Sequence, residues 1–121
     1  MSIRILDCTL RDGGYINDWK FGRDTIVSIL DKLDQAHIDI IECGFLTGMV
    51  KDAECSLFES AEAIEAVLPK RERNSMYVAM IAIGEKELDP FKLEPYRGTG
   101  IEGIRLTFHK KEISQAVSWA Q

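Results

Sequence analysis

Residues 6–15 read Leu-Asp-Cys-Thr-Leu-Arg-Asp-Gly-Gly-Tyr and continue the short apolar segment Ile3 to Leu6. The segment predicts a β-strand, and the stretch then places Arg11 and Asp12 directly before two glycines, which permit positive φ angles and a close approach to a ligand. Arginine is a permanent cation suited to a carboxylate or an enolate, and aspartate is an oxygen ligand for Mg²⁺ or Mn²⁺. Because ligands bind at the carboxyl ends of parallel strands, the stretch is a candidate site. A buried ion pair between Arg11 and Asp12 is the structural alternative.

The size and composition of the chain are those of one globular domain. Its 121 residues are 45% apolar and 29% charged, with a net charge of −5. This acidic balance argues against nucleic acid or an acidic membrane as a partner. No apolar run approaches the roughly 18 residues of a membrane span, and the first residues lead directly into a strand. We therefore expect a cytoplasmic protein without a signal peptide.

The three cysteines, Cys8, Cys43 and Cys55, form no C-x-x-C pair, and their number is odd. This pattern disfavours a disulfide framework or a zinc site. Cys8 and Cys43 fall in predicted strands, where cysteine usually acts as a small apolar residue.

Two helices are predicted in the first half of the chain. From Arg23, apolar residues recur at three- and four-residue steps and indicate an amphipathic helix, with Asp34 on its polar side. We interpret His37 as the residue that caps this helix, because histidine tolerates positive φ. A second helix is predicted over residues 57–68, and the charged run 70–73 that follows is typical of a solvated turn.

The segment Ile38 to Gly44 predicts a second strand with an acid in its middle. Alternation places Glu42 on one face and Ile41, Cys43 and Phe45 on the other. A buried acid is costly unless a cation pairs with it. Arg11, at the end of the neighbouring strand, is a candidate for that cation.

The second half of the chain predicts two further strands. Residues 76–83 form an almost continuous apolar run, which is typical of a parallel strand covered on both faces. Prolines and glycines allow at most a short, broken helix over residues 84–100. Gly103 to His109 alternates, so that Arg105, Thr107 and His109 share one face. A last helix begins near Lys111.

Strands that alternate with helices four times imply an α/β fold with a parallel sheet and right-handed crossovers. Within it, Thr9-Leu10-Arg11-Asp12-Gly13 resembles the signature of the metal-dependent aldolases, acyl-CoA lyases and homocitrate-type synthases, a superfamily of TIM barrels. Glu42 matches the glutamate of the family's second strand, and residues 104–109 are similar to the fourth strand of the 4-hydroxy-2-oxovalerate aldolases, which ends in histidine. Since a whole TIM barrel takes about 250 residues, we expect residues 1–121 to be one partial domain, the amino-terminal half of a barrel.

The resemblance implies that a divalent metal, Mn²⁺ or Mg²⁺, chelates the substrate while an arginine stabilises the enolate formed when a carbon–carbon bond breaks. It assigns Asp12 as metal ligand, Arg11 as enolate stabiliser and Glu42 as the support of Arg11. The family's His-x-His metal ligands are absent from this sequence, so we expect negligible activity from the chain alone. Tyr15 stands where related aldolases carry a histidine base. A phenol with a pKa of about 10 is a poor base, so either Tyr15 donates a hydrogen bond or His109 acts as the base.

Three functions stay open at this point. The first is an aldolase that cleaves a 4-hydroxy-2-oxo acid to pyruvate and an aldehyde. The second is an acyl-CoA-dependent condensing enzyme of the homocitrate or isopropylmalate synthase type. The third is a non-catalytic half-barrel module that self-associates. A half barrel leaves its edge strands open, so we expect a homo-oligomer, although a flat open sheet is an alternative.

Overall fold

The computed structural model describes residues 2–50, 52–85 and 95–121. In chain order the helices and strands are β1 (Leu6–Asp7), α1 (Thr9–Asp12), α2 (Arg23–Gln35), β2 (Ile40–Leu46), β3 (Leu57–Phe58), α3 (Ala61–Glu65), β4 (Met76–Ala82), β5 (Gly103–Thr107) and α4 (Ile113–Ala120). Single turns of 3₁₀ helix follow α1 at Gly13–Tyr15 and precede α4 at Lys110–Glu112. In the described part of the chain, no helix is long and apolar enough to cross a membrane.

The strands form one parallel sheet in the order β1-β2-β4-β5, with β3 also paired to β2. Since β4 occupies one side of β2, β1 and β3 share the other side, β1 at the start of β2 and β3 at its end. Apart from the short β3, the strands β1, β2, β4 and β5 are therefore added in chain order towards one edge of the sheet, as in a TIM barrel. The predicted fold class, a parallel α/β sheet consistent with half of a TIM barrel, is confirmed.

Two apolar clusters cover the two faces of the sheet. The larger cluster packs the helices against the sheet through residues such as Leu30 of α2, Ile64 of α3 and Ala116 of α4. The smaller cluster contains Trp19, Phe45, Cys55, Leu57, Met80 and Ala82. Alternate residues of β4 enter different clusters, so this strand is buried on both faces, as its apolar run predicts.

The first strand and the residue after it differ from the prediction. β1 begins at Leu6, while Ile3 and Ile5 are exposed. Cys8 does not lie in a strand but directly precedes α1. Cys43, in contrast, is fully buried in β2 among the residues of the larger cluster, as expected of a small apolar residue.

A bulge in β2 overturns the predicted facing of Phe45. The pairing of β2 with β4 shifts register between Glu42 and Phe45, and Gly44 has a φ of 147°. A Cβ atom on Gly44 would lie 2.1 Å from the backbone oxygen of Ser56, so glycine is required there. The bulge turns Phe45 into the smaller cluster, away from Ile41 and Cys43.

The second predicted helix is also shorter than expected. Leu57 belongs to β3, and α3 begins after Ser60, whose side-chain oxygen accepts a hydrogen bond from the N–H of Ala63 at 3.1 Å. Serine is a favoured residue at this capping position. Most of the segment 84–100, for which a short broken helix is predicted, lies outside the described residues. His37 has a φ of 58° two residues after the last residue of α2, in agreement with the predicted role at the end of this helix.

Asp34 is buried, so its assignment to the polar side of α2 is wrong. Its carboxylate accepts hydrogen bonds from the hydroxyl of Tyr77 at 2.6 Å, from Nη1 of Arg71 at 2.8 Å and from the backbone N–H groups of Asn74 and Ser75. Burial alone would raise the pKa of Asp34, but these donors outweigh burial and lower the pKa to about 2. The charged run 70–73 is therefore more than a solvated turn, because Arg71 joins α2 to the segment before β4.

The lowered pKa of Asp34 predicts a loss of stability in acid. The carboxylate stabilises the fold fully above the ordinary pKa of aspartate, and its contribution of about 2 kcal/mol disappears as the pH falls towards 2. Urea unfolding measured from pH 7 to pH 2 is expected to show this loss, and Asp34→Asn is expected to remove most of it. Asp31→Asn is the control, because Asp31 also binds Arg71 but is 38% exposed. Equal pH profiles for the native chain and Asp34→Asn would contradict the prediction.

Candidate active site

Arg11 lies on a helical turn rather than at the end of a strand. β1 ends at Asp7, and the carbonyl oxygen of Cys8 accepts hydrogen bonds from the N–H groups of Arg11 at 3.1 Å and Asp12 at 2.8 Å. The turn α1 therefore begins immediately after the strand. It aims the Arg11 side chain at β2, the strand that pairs with β1.

Glu42 is the partner of Arg11. The carboxylate is completely buried in β2, and its Oε1 accepts a hydrogen bond from Nε of Arg11 at 2.6 Å. The Arg11 side chain is 17% exposed. Partial burial would lower the pKa of Arg11, but the hydrogen bond and negative charge of Glu42 outweigh burial and raise that pKa. Arg11 is thus a fixed cation whose orientation is set by a buried acid.

Arg105 shares the same carboxylate, although the sequence did not mark it as a site residue. Its Nη1 donates to Oε2 of Glu42 at 2.7 Å, and its side chain is 43% exposed. The alternation of residues 103–109 placed Arg105 on a polar face of β5. It did not reveal that the side chain reaches past β4 to β2, because that distance depends on the order of the strands.

Asp12 lies beside Arg11 and is open to solvent. Its Oδ1 accepts from Nη1 of Arg11 at 3.1 Å, and its side chain is 66% exposed. Across residues 2–50, 52–85 and 95–121, no hydrogen bond reaches its second oxygen. The structure therefore combines an ion pair and an available carboxylate oxygen at this position.

Trp19 stabilises the turn that carries Arg11 through a hydrogen bond to its backbone. The indole Nε1 donates to the carbonyl oxygen of Arg11 at 2.7 Å, and the ring is 7% exposed. Its edge-on contacts place the ring centroids 4.9 Å from Tyr15 and 5.5 Å from Phe45. Trp19 has a φ of 60°, which is costly for an aromatic residue and needs such packing to persist.

The positive φ angles expected of Gly13 and Gly14 are not found. Gly13 has a φ of −66°, and the positive-φ glycines of the described chain do not include Gly14. Gly14 is needed instead for space, because a Cβ atom there would lie 1.8 Å from Cδ1 of Trp19. Gly14 thus allows the indole to pack on the turn.

Tyr15 is half exposed, and it belongs to the aromatic contact around Trp19. Partial burial, together with the negative charge of Glu85, raises its pKa. Because its pKa is raised, Tyr15 is ionised to phenolate even less near neutral pH than an ordinary tyrosine, which makes it a poorer candidate for the general base.

His109 follows the end of β5 by two residues and caps the 3₁₀ turn Lys110–Glu112. Its backbone N–H donates to Oε2 of Glu112 at 2.7 Å in a capping box. Within the described ranges, no hydrogen bond or ion pair joins His109 to Arg11, Asp12 or Glu42. The structure brings these three residues together but leaves His109 apart from them.

The described residues supply one carboxylate for a metal ion and not a complete site. Among them, no group of three histidine, cysteine, aspartate or glutamate residues could hold a metal. A divalent cation needs several ligands in a fixed geometry. Asp12 fits as one ligand, and the remaining ligands would have to come from elsewhere.

Comparison with known proteins shows a similarity to an aldolase over most of the chain. The chain is 31% identical over 110 residues to a 4-hydroxy-2-oxovalerate aldolase of Geobacillus genomosp. 3. The match covers 87% of this chain and 31% of the aldolase, so the chain spans about a third of that protein's length. No protein-family model and no solved structure matches the chain. The similarity to an aldolase and the parallel α/β sheet agree with the family resemblance of the motif.

Substitution of the glycine pair tests the packing of Trp19 on the turn. Gly14→Ala is expected to destabilise the fold by about 3 kcal/mol, because the new methyl group overlaps the indole. Gly13→Ala is the matched control, since its Cβ would lie 3.6 Å from Cζ of Phe21, an ordinary contact. Its helical backbone favours alanine by up to about 1 kcal/mol. Urea unfolding followed by tryptophan fluorescence measures both changes, and equal stabilities would show that the contact is unimportant.

Proposed function

We propose that the chain is the amino-terminal part of a divalent-metal-dependent aldolase that cleaves a 4-hydroxy-2-oxo acid to pyruvate and an aldehyde. The observation that carries the proposal is the fixed Arg11 cation, held by buried Glu42 next to the exposed carboxylate of Asp12. The site lies beyond the carboxyl end of β1, where ligands bind in parallel α/β proteins. Similarity to an aldolase over most of the chain supports the same reaction.

Arg11 suits the step that an aldolase must accelerate. Breaking the bond between C3 and C4 leaves an electron pair that is delocalised onto the C2 oxygen as an enolate. A guanidinium already held in place stabilises this charge without having to reorganise. Glu42 accepts a hydrogen bond from Nε of Arg11, and Asp12 accepts one from Nη1. The remaining Nη2 is therefore the donor proposed for the enolate oxygen.

Removal of the proton from the 4-hydroxyl group requires a base. The raised pKa of Tyr15 argues against the phenolate, so we assign Tyr15 the role of a hydrogen-bond donor. His109 is the candidate base on this rim of the sheet, because an imidazole can accept a proton near neutral pH. Its place after β5 supports this role, although no hydrogen bond joins these two described residues, His109 and Arg11.

The metal ion belongs to the proposal as well. Mn²⁺ or Mg²⁺ would polarise the 2-oxo group, and Asp12 would be its ligand from this chain. Because Asp12 is one ligand, we expect weak metal affinity and negligible aldolase activity from residues 1–121 alone. An acyl-CoA-dependent condensing enzyme is the second candidate, and release of pyruvate rather than consumption of acetyl-CoA by the complete protein would separate the two.

Exposed apolar side chains at both edges of the sheet favour a third possibility, self-association. Ile3 and Ile5 adjoin β1, while Ile104, Ile113 and Val117 lie on β5 and α4, and all are between 41% and 88% exposed. A two-fold axis along the strands would bring β1 of one copy beside β5 of another and keep all strands parallel. We propose this homo-oligomer as the state that covers the open edges.

Paramagnetic broadening by Mn²⁺ tests the proposed site. Substoichiometric Mn²⁺ added to the ¹⁵N-labelled chain is expected to broaden the amide signals of residues 12–15, because this method detects weak binding. Asp12→Ala should abolish the broadening, and the control Glu72→Ala, an exposed acid far from the site, should leave it unchanged. Sedimentation velocity on the same samples shows whether the binding species is a monomer or a self-associated form.

Broadening that centres elsewhere, or that survives in Asp12→Ala, would contradict the assignment of Asp12. If broadening requires the self-associated form, the metal ligands come from more than one copy. If it occurs in the monomer, this chain supplies the primary contact by itself.

A further inference from the structure

We infer that Arg11 and Arg105 together form a binding site for the carboxylate end of a 2-oxo acid, with Arg105 as the residue that recognises the carboxylate. The choice of a 2-oxo acid rests on the proposed function. The paired arrangement of the two guanidinium groups does not, since it follows from the contacts of Glu42. No role for Arg105 followed from the sequence motif.

Glu42 holds the two guanidinium groups side by side. Each carboxylate oxygen accepts from a different arginine, Oε1 from Arg11 at 2.6 Å and Oε2 from Arg105 at 2.7 Å. Since the two oxygens belong to one buried carboxylate, the two cations are anchored at neighbouring points. Short charge-assisted hydrogen bonds of this kind also fix the orientation of both groups.

Two arginines and two carboxylates make the cluster neutral as a whole, but these charges are unevenly placed. One buried carboxylate faces two arginines, and the nearby Asp12 contacts Arg11 rather than Arg105. In the described part of the chain, Arg105 has no acidic partner besides the shared Glu42. A positive charge is therefore left on the Arg105 side of the cluster.

The guanidinium of Arg105 also has N–H groups that make no hydrogen bond to the described residues. A guanidinium carries five N–H groups, and the hydrogen bonds of Arg105 within the described residues engage Nη1 alone. Its Nε and Nη2 groups stay available, and the side chain is 43% exposed, so an entering ligand can reach them. A planar fork of such donors matches a carboxylate.

The surroundings strengthen the attraction of this site for an anion. Arg105 is in register with Met80 of β4, a residue of the smaller apolar cluster that also contains Phe45. Charges interact more strongly beside apolar side chains than in water. In a 2-oxo acid the carboxylate and the oxo group are on adjacent carbons, which matches two guanidinium groups anchored on one carboxylate. Arg11 would face the oxo oxygen and Arg105 the carboxylate.

Oxalate is the probe for this site, because it places two carboxyl groups on adjacent carbons and needs no turnover. The ¹⁵N-labelled chain is titrated with oxalate in the presence of EDTA and at constant ionic strength. The native chain is expected to show saturable shifts of the amides near Glu42 and Arg105. Arg105→Gln is expected to raise the dissociation constant about tenfold, as for the loss of a charge-assisted contact.

Arg97→Gln is the control, since it makes the same change of charge at an exposed arginine. It should leave the dissociation constant nearly unchanged. Arg105→Lys keeps the charge but loses the fork, and its affinity should fall between those of the native chain and Arg105→Gln. If Arg105→Gln does not fold, Arg105→Lys decides the matter, and native affinity in that variant overturns the inference.

Absence of saturable binding by the native chain, or equal losses in Arg97→Gln and Arg105→Gln, also overturns the inference. The experiment is independent of the proposed function, because EDTA removes divalent metal. Oxalate binding at Arg105 without Mn²⁺ broadening at Asp12 would leave an anion site and reject the metal-dependent aldolase. Broadening without oxalate binding would reject the role of Arg105 alone.

Discussion

The buried carboxylate of Glu42 is the constraint on which the site depends. An unpaired charge inside a strand would cost several kcal/mol, and Glu42 is fully buried. Arg11 pairs with this charge from α1, and Arg105 pairs with it from β5, on the far side of β4. One acid therefore joins the turn after the first strand to the middle of β5, the last described strand.

The structure around this cluster serves to keep Arg11 in position. Trp19 binds the carbonyl oxygen of Arg11, and Gly14 leaves room for the indole. Ser56, also buried, donates its hydroxyl to the carbonyl oxygen of Leu10 at 2.6 Å. The turn is thus fixed through its backbone while Glu42 fixes the guanidinium. Such preorganisation is what stabilisation of a developing negative charge requires.

The sequence predicted those parts of the site that follow from the energetic cost of burying a charge or from a local pattern of residues. A glutamate among apolar strand residues implied a cation, and Arg11 is that cation. The same reasoning missed Arg105, because alternation gives the face of a residue and not its reach across a neighbouring strand. Asp34 was misplaced for a related reason, since an amphipathic pattern records polarity and cannot reveal the hydrogen-bond donors that compensate a buried carboxylate. The bulge at Gly44 reversed the facing of Phe45, and it depends on the backbone of Ser56, twelve residues further along the chain.

The Nε–H proton of Arg11 reports most directly on the claim that Glu42 holds this arginine. Its exchange with water can be followed by ¹⁵N NMR of the arginine side chains, with Arg11→Lys used to assign the signal. A proton donated at 2.6 Å to a buried carboxylate should give a resolved signal that exchanges much more slowly than that of free arginine. Exchange as fast as that of free arginine in the folded chain would contradict the account.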